Sequence, residues 1–200
     1  MPKVFQRATA LLAVLMASLV LATTALAQMP TSPWKKGAPF PEPDEELDGV
    51  AANGKLYVIG GWGDGKARGV NYEYDPATDK WTKKQPMPRP AHHAALASVN
   101  GKIYAFGGFV APATTAIPLG AAWEPIADAY EFNPATDSWK PLAPLPGKRG
   151  AAIAAEVGGK IYVIGGATTM EGSKQPFFTA FGPARVLGTN QVYDLSLIHI

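Results

Sequence analysis

Cysteine is absent from the 200 residues, so the chain has no disulfide, no thiolate metal ligand and no sulfur nucleophile. Its stability has to come from packing. Net charge is nearly absent as well. The formal balance is +2, Lys3 and Arg7 supply that excess, and from residue 28 onward basic and acidic residues cancel. A neutral chain exerts no general electrostatic pull on nucleic acid or anionic lipid, so neither is expected as a partner. Long amphipathic helical runs are missing too. No Gly-x-Ser-x-Gly elbow and no His-Glu-x-x-His helix occurs, which removes the common hydrolase and zinc-protease signatures from this stretch. Gly61-Trp62-Gly63-Asp64-Gly65 is glycine-rich but fits neither the dinucleotide fingerprint nor a phosphate loop, and reads as a flexible connection.

Glycine and proline are plentiful, at 21 and 19 residues, and 47% of the chain is hydrophobic against 17% charged. That is too apolar for disorder, and the turn formers are too frequent for long helices, so an all-β domain of short strands is predicted. One segment stands apart. Lys3 and Arg7 precede an apolar run from Ala8 to Ala22, and Ala25-Leu26-Ala27 supplies the small residues read at a signal-peptide cleavage site. Residues 1–27 are expected to be removed after Ala27, leaving a periplasmic or extracellular protein with no stable membrane anchor. The competing reading is an uncleaved anchor, because Ala8 to Ala27 is just long enough to span a bilayer. No cysteine follows the run to carry a lipid.

Three stretches align without a gap: Trp34 to Gly61, Trp81 to Gly108 and Trp139 to Gly166. Within them Asn53-Gly54-Lys55-Leu56-Tyr57 matches Asn100-Gly101-Lys102-Ile103-Tyr104 and Gly158-Gly159-Lys160-Ile161-Tyr162. Each stretch ends in a glycine pair, Gly60-Gly61, Gly107-Gly108 and Gly165-Gly166. A second block, Tyr74-Asp75-Pro76-Ala77-Thr78-Asp79-Lys80-Trp81, matches Phe132-Asn133-Pro134-Ala135-Thr136-Asp137-Ser138-Trp139, and Tyr193-Asp194 begins a third copy. The period of 47 and then 58 residues falls in the range of propeller blades. Paired glycines, a Tyr and a spaced Trp in this order resemble the kelch repeat. The resemblance implies a β-propeller of four-stranded antiparallel blades, present here as an incomplete ring of about three.

In the second copy the strands are expected at Ala94 to Val99 (A), Lys102 to Gly107 (B), Ala129 to Phe132 (C) and Ser138 to Leu142 (D). Asn100-Gly101 suits a two-residue hairpin turn with positive φ, and Asn133-Pro134 a type I turn. Residues 28–47 then form an N-terminal segment with a lone outer strand, suited to closing the ring. Residues 48–90 form the first blade, 91–147 the second and 148–194 a partial third. Leu195 to Ile200 breaks the repeat, resembles a translated sequencing adapter, and is expected to be foreign to the fold. Trp34, Trp81, Trp139 and the six paired glycines are assigned structural roles.

An up-and-down blade gathers its D–A and B–C connections on one face, where the variable residues lie. The binding-face candidates are Glu45, Glu46, Arg89, His92, His93, Trp123, Lys148 and Arg149. His92 and His93 are read as structural, because the remaining histidine is His199 and a metal needs three or four ligands; no metal and no cofactor is expected. Asp44-x-Glu46-x-Asp48-Gly49 places Lys55 where a calcium loop needs Glu, so it reads as a solvated loop or a cation-facing rim. Trp123, Phe177, Phe178 and Phe181 either line a ligand groove or pin long loops. The function expected is a binding module for a protein or glycan. The alternative is a carbohydrate-active enzyme, since secreted kelch proteins include sialic-acid mutarotases; no catalytic residue carries over. Galactose oxidase shares the blades but needs a Cys-Tyr crosslink.

Overall fold

The structure is a computed structural model that describes residues 33–112, 122–179 and 182–197. The expected signal segment 1–27, Phe181 and His199 lie outside the described residues. The chain divides into a unit ending at Gly37 and a unit starting at Ala38. In the first, residues 33–37 form no strand or helix, and Trp34 is 88% exposed.

The first sheet of the second unit runs β1 (Glu45–Ala52), β2 (Lys55–Gly63), β3 (Lys66–Asp75) and β4 (Lys80–Lys83), each antiparallel to the next. The second opens with β5 (Ala95–Val99) and β6 (Lys102–Phe106). Two short strands, β7 (Phe109–Val110) and β8 (Ala122–Pro125), lie in its B–C connection before β9 (Ala129–Asn133) and β10 (Ser138–Pro141) complete it. The third begins with β11 (Ile153–Val157) and β12 (Lys160–Ile164). Its connection holds β13 (Ala167–Thr168), β14 (Phe178–Thr179) and β15 (Arg185–Val186), and β16 (Asn190–Asp194) pairs back on β12. Leu195–Leu197 makes a 3-10 turn.

Local chemistry produces this order. Asn53-Gly54 and Asn100-Gly101 both hold positive φ, 52° and 73° in the first pair and 50° and 77° in the second, which is the twist a two-residue hairpin requires. At the other turns, Asp75 Oδ1 accepts the Ala77 N–H at 2.9 Å and Asn133 Oδ1 accepts the Ala135 N–H at 3.0 Å, an Asx turn that starts the return strand.

The inner strands β1, β5 and β11 lie side by side, and the sheets pack face to face. Tyr57 and Ile59 of the first sheet meet Ile103, Ala105 and Phe132 of the second, whose other face sends Tyr104 and Phe106 toward Ile161 and Val163 of the third. Alternation along β6 therefore serves two cores, with Ile103 and Ala105 on one side and Tyr104 and Phe106 on the other. The outer tryptophans join one repeat to the next. Trp81 Nε1 donates to the Ala38 carbonyl at 3.1 Å, and Trp139 Nε1 donates to the Gln85 carbonyl at 2.9 Å. Ala38 and Gln85 are one repeat apart, and their N–H groups donate to Asp79 and Asp137.

Three sequence expectations change here. Trp34 to Pro41 forms no strand, so the lone outer strand is not seen among the described residues. From Ala38 onward the segment is held instead by the Trp81 and Asp79 side chains and by Phe40, which packs edge-on against Tyr72 and Trp81. Gly61 to Gly65 is not a flexible loop. The Asp64-Gly65 pair, at φ 53° and 73°, closes a tight hairpin that lets β2 and β3 continue past a bulge between Gly60 and Trp62. The long B–C connections also contain strands, since β14, β8 and β7 pair into a small sheet of their own.

Candidate functional site

The entry to each inner strand repeats one backbone conformation. Glu46, His93 and Ala151 occupy equivalent positions and all have left-handed φ, at 56°, 53° and 55°. One residue earlier, Glu45 pairs with Trp62, His92 with Phe109 and Gly150 with Ala167, so each strand entry lies against the residue that follows a glycine pair. Glycine is needed there because the neighbouring backbone comes so close. A Cβ on Gly108 would sit 2.8 Å from the His92 carbonyl oxygen. The His92 N–H donates to the Phe109 carbonyl at 3.1 Å and the Phe109 N–H returns a bond to His92 at 2.8 Å.

This repeated geometry brings Glu46, from one repeat, onto His92 and His93 of the next. Glu46 Oε2 lies 2.5 Å from His92 Nδ1 and 3.5 Å from His93 Nδ1, and the two imidazole nitrogens are 2.9 Å apart. His92 is completely buried, and its ring is boxed by Trp62 at 4.7 Å, Trp123 at 5.0 Å and Phe109 at 5.7 Å. Trp123 stacks on Phe109, and Phe178 meets both edge-on. The box is therefore built from the end of β2 and from β7, β8 and β14 of the B–C connections, while the ionisable groups come from the D–A side. His93 and Glu46 keep part of their surface in solvent.

Burial dominates the electrostatics. Desolvation, reinforced by Glu45 and Asp44, raises the Glu46 carboxyl to about 7. It lowers His92 to about 3, helped by repulsion from His93, and also lowers His93. Both imidazoles are consequently neutral at neutral pH, while Glu46 is poised between acid and carboxylate. The acidic rim read from sequence is not solvated throughout. The Asp44 carboxylate is fully shielded and its pKa raised by that burial, although its Oδ1 accepts the Glu45 N–H and Arg68 stands 3.6 Å from Oδ2. Burial likewise raises Asp48, to about 6, against the lowering effect of a bond from the Ala94 backbone.

Of the other candidates, Trp123 belongs to the box and Glu45 adjoins Glu46, while the basic ones have other partners. Arg89 faces Asp128 at 3.3 Å, Lys148 faces Glu124 at 3.7 Å, and Glu45 is exposed. Arg149 turns inward: it is 3% exposed and donates to the Gly165 carbonyl at 3.0 Å and to Thr189 Oγ1 at 2.9 Å, so it braces the third sheet. Among the described residues, Glu46, His92 and His93 form a group whose ligand atoms all lie within 4.8 Å of one another. Trp62 and Phe109 were not singled out in the sequence as site residues. The signal was available, because both directly follow a repeat's glycine pair and are exactly one period apart.

A family model described as the Kelch motif matches residues 49–88 and 90–146. The chain carries kelch repeats and the blade fold of a kelch-type β-propeller. Among solved structures, that of YjhT is similar to it, with 28% sequence identity and a TM-score of 0.52 over 65% of this chain. The match covers 36% of the YjhT chain, so the kelch repeats here span little more than a third of that protein's length. No curated protein matches in sequence. In kelch terms, the cluster is made where inner-strand entries of two successive blades meet, walled by the end of β2 in the first blade and by the B–C connections of the second and third.

Proposed function

We propose that this kelch protein is an exported binding module that takes a protein or glycan ligand on its D–A and B–C face, over the Glu46–His92–His93 cluster. One observation carries the reading: that face places the partly exposed Glu46 and His93 beside Trp123, a half-buried ring stacked on the buried Phe109. Aromatic rings give a flat apolar surface suited to a sugar face or a side chain, and the polar cluster gives direction. Export is proposed from the amino-terminal segment, which fits a ligand outside the cell. A second reading is a sugar mutarotase or epimerase. It is favoured by the contact between a carboxyl group and two imidazoles, a set of groups able to pass a proton at an anomeric carbon.

A glycan array and a crosslinking screen against surface proteins test the first reading. Binding is expected to fall at least about tenfold in Trp123→Ala, the loss typical of a central aromatic contact. Anomer-exchange NMR on any sugar that binds separates the two readings. Exchange abolished in Glu46→Gln supports the enzyme, and binding without exchange supports the module.

A further inference from the structure

From the convergence of Glu46 Oε2, His92 Nδ1 and His93 Nδ1 we infer that the kelch face holds a divalent transition-metal site of the zinc class. The three donor atoms are 2.5, 2.9 and 3.5 Å apart. An ion with bonds of about 2.0–2.2 Å separates its tetrahedral ligands by about 3.3–3.6 Å, so the Glu46–His92 and His92–His93 pairs open by up to about 1 Å to admit an ion seated just above the triangle.

Glu46 Oε2 is buried and has no hydrogen-bond partner, although His92 Nδ1 lies 2.5 Å away. A single proton, on Glu46 or on either imidazole, joins one pair of the three atoms at a time. A central cation satisfies all three atoms at once. Two imidazoles and one carboxylate select borderline ions of the zinc, cobalt and nickel group over calcium or magnesium, which prefer oxygen alone.

The surroundings are those of a built site. The His92 ring is held by Trp62, Phe109 and Trp123, which exclude water from one side. On the other, Glu46 and His93 retain 21% and 29% side-chain exposure, while the donor atom Glu46 Oε2 is itself shielded from solvent. Glu46 and His93 are fixed by the same left-handed turn in consecutive repeats, so the ligand set arises from two blades and forms only when they are packed together. The third repeat carries Ala151 at this position and supplies no ligand. The site lies on the face assigned to ligand binding.

The test is titration of the untagged chain, stripped with a chelator, with Co2+ and then Zn2+. Visible d–d bands at one Co2+ per chain, quenched by Zn2+, are expected. His93→Ala copies the side chain and turn already present at Ala151, and Glu46→Gln keeps the shape of the glutamate; each is expected to weaken binding about 100-fold or more, since even outer-sphere changes cost about 10–100-fold. Glu171→Gln, in an exposed loop, is expected to leave it unchanged. Circular dichroism confirms that each variant is folded. Absence of Co2+ bands, or wild-type affinity in folded His93→Ala and Glu46→Gln, overturns the site. Metal uptake is read without any glycan or protein ligand, so a failed ligand screen with intact Co2+ bands counts against the binding-module reading and leaves the metal site supported.

Discussion

Glu42 gathers three partners: Arg68 and Tyr72 donate to its carboxylate, and Lys83 donates at 2.7 Å. The Lys83 and Tyr72 hydrogen bonds are the main reason its pKa lies below the usual 4.5. A carboxyl whose pKa is lower in the folded chain adds stability above the unfolded pKa, and that stability disappears as pH falls through the folded value. Glu42→Gln should therefore destabilise the chain by about 1 kcal/mol at pH 7, a modest figure because the group is partly open to water. Urea unfolding at pH 7 and again near pH 3 checks this, with the two proteins converging at the acid end. An unchanged difference at both values would show that shape, and not charge, sets the role of Glu42.

Glycine pairs within β2 and directly after β6 and β12 act as element-level joints. At Gly107, with φ 64°, a Cβ would stand 2.3 Å from the Arg149 carbonyl oxygen, and the next amide, Gly108, donates to that same oxygen at 2.8 Å. Gly107→Val is expected to cost at least about 3 kcal/mol, through both backbone strain and displacement of the third inner strand's entry. Thermal melting followed by circular dichroism measures it, and a wild-type melting curve would contradict this docking. Such joints were legible in the sequence, as were the Asn-Gly turns, the Asx turns and the strand limits, because each depends on a few neighbouring residues that recur at the period. What depended on contacts between repeats was harder to read. Counting histidines missed Glu46 as a partner, although it precedes His93 by one full period of 47 residues. Arg149 looked like a surface cation and is instead buried against Thr189, a contact 40 residues away along the chain. The strands β7, β8 and β14 escaped because pairing among connections has no local pattern.

Burial in the second unit is decided by neighbouring sheets, and valines at one repeat position show it. Val99 ends β5 in the middle sheet and is 8% exposed; Val157 ends β11 at the equivalent position and is 63% exposed. Both have the same cross-strand partner type, Lys102 for the first and Lys160 for the second, so the strands themselves do not account for the difference. The middle sheet has a core on each face, whereas the third buries Ile161 and Val163 and leaves Ile153 and Val157 open. If intersheet packing is the source of stability, a charge at these two positions should have unequal costs. Val99→Lys forces an unpaired ammonium between sheets and is expected to cost at least about 3 kcal/mol, while Val157→Lys should stay within about 0.5 kcal/mol. Urea unfolding of both variants at several protein concentrations is the measurement. Equal costs at every concentration would mean that each strand is stabilised within its own sheet, and a Val157→Lys cost that grows with concentration would show a second copy covering that face.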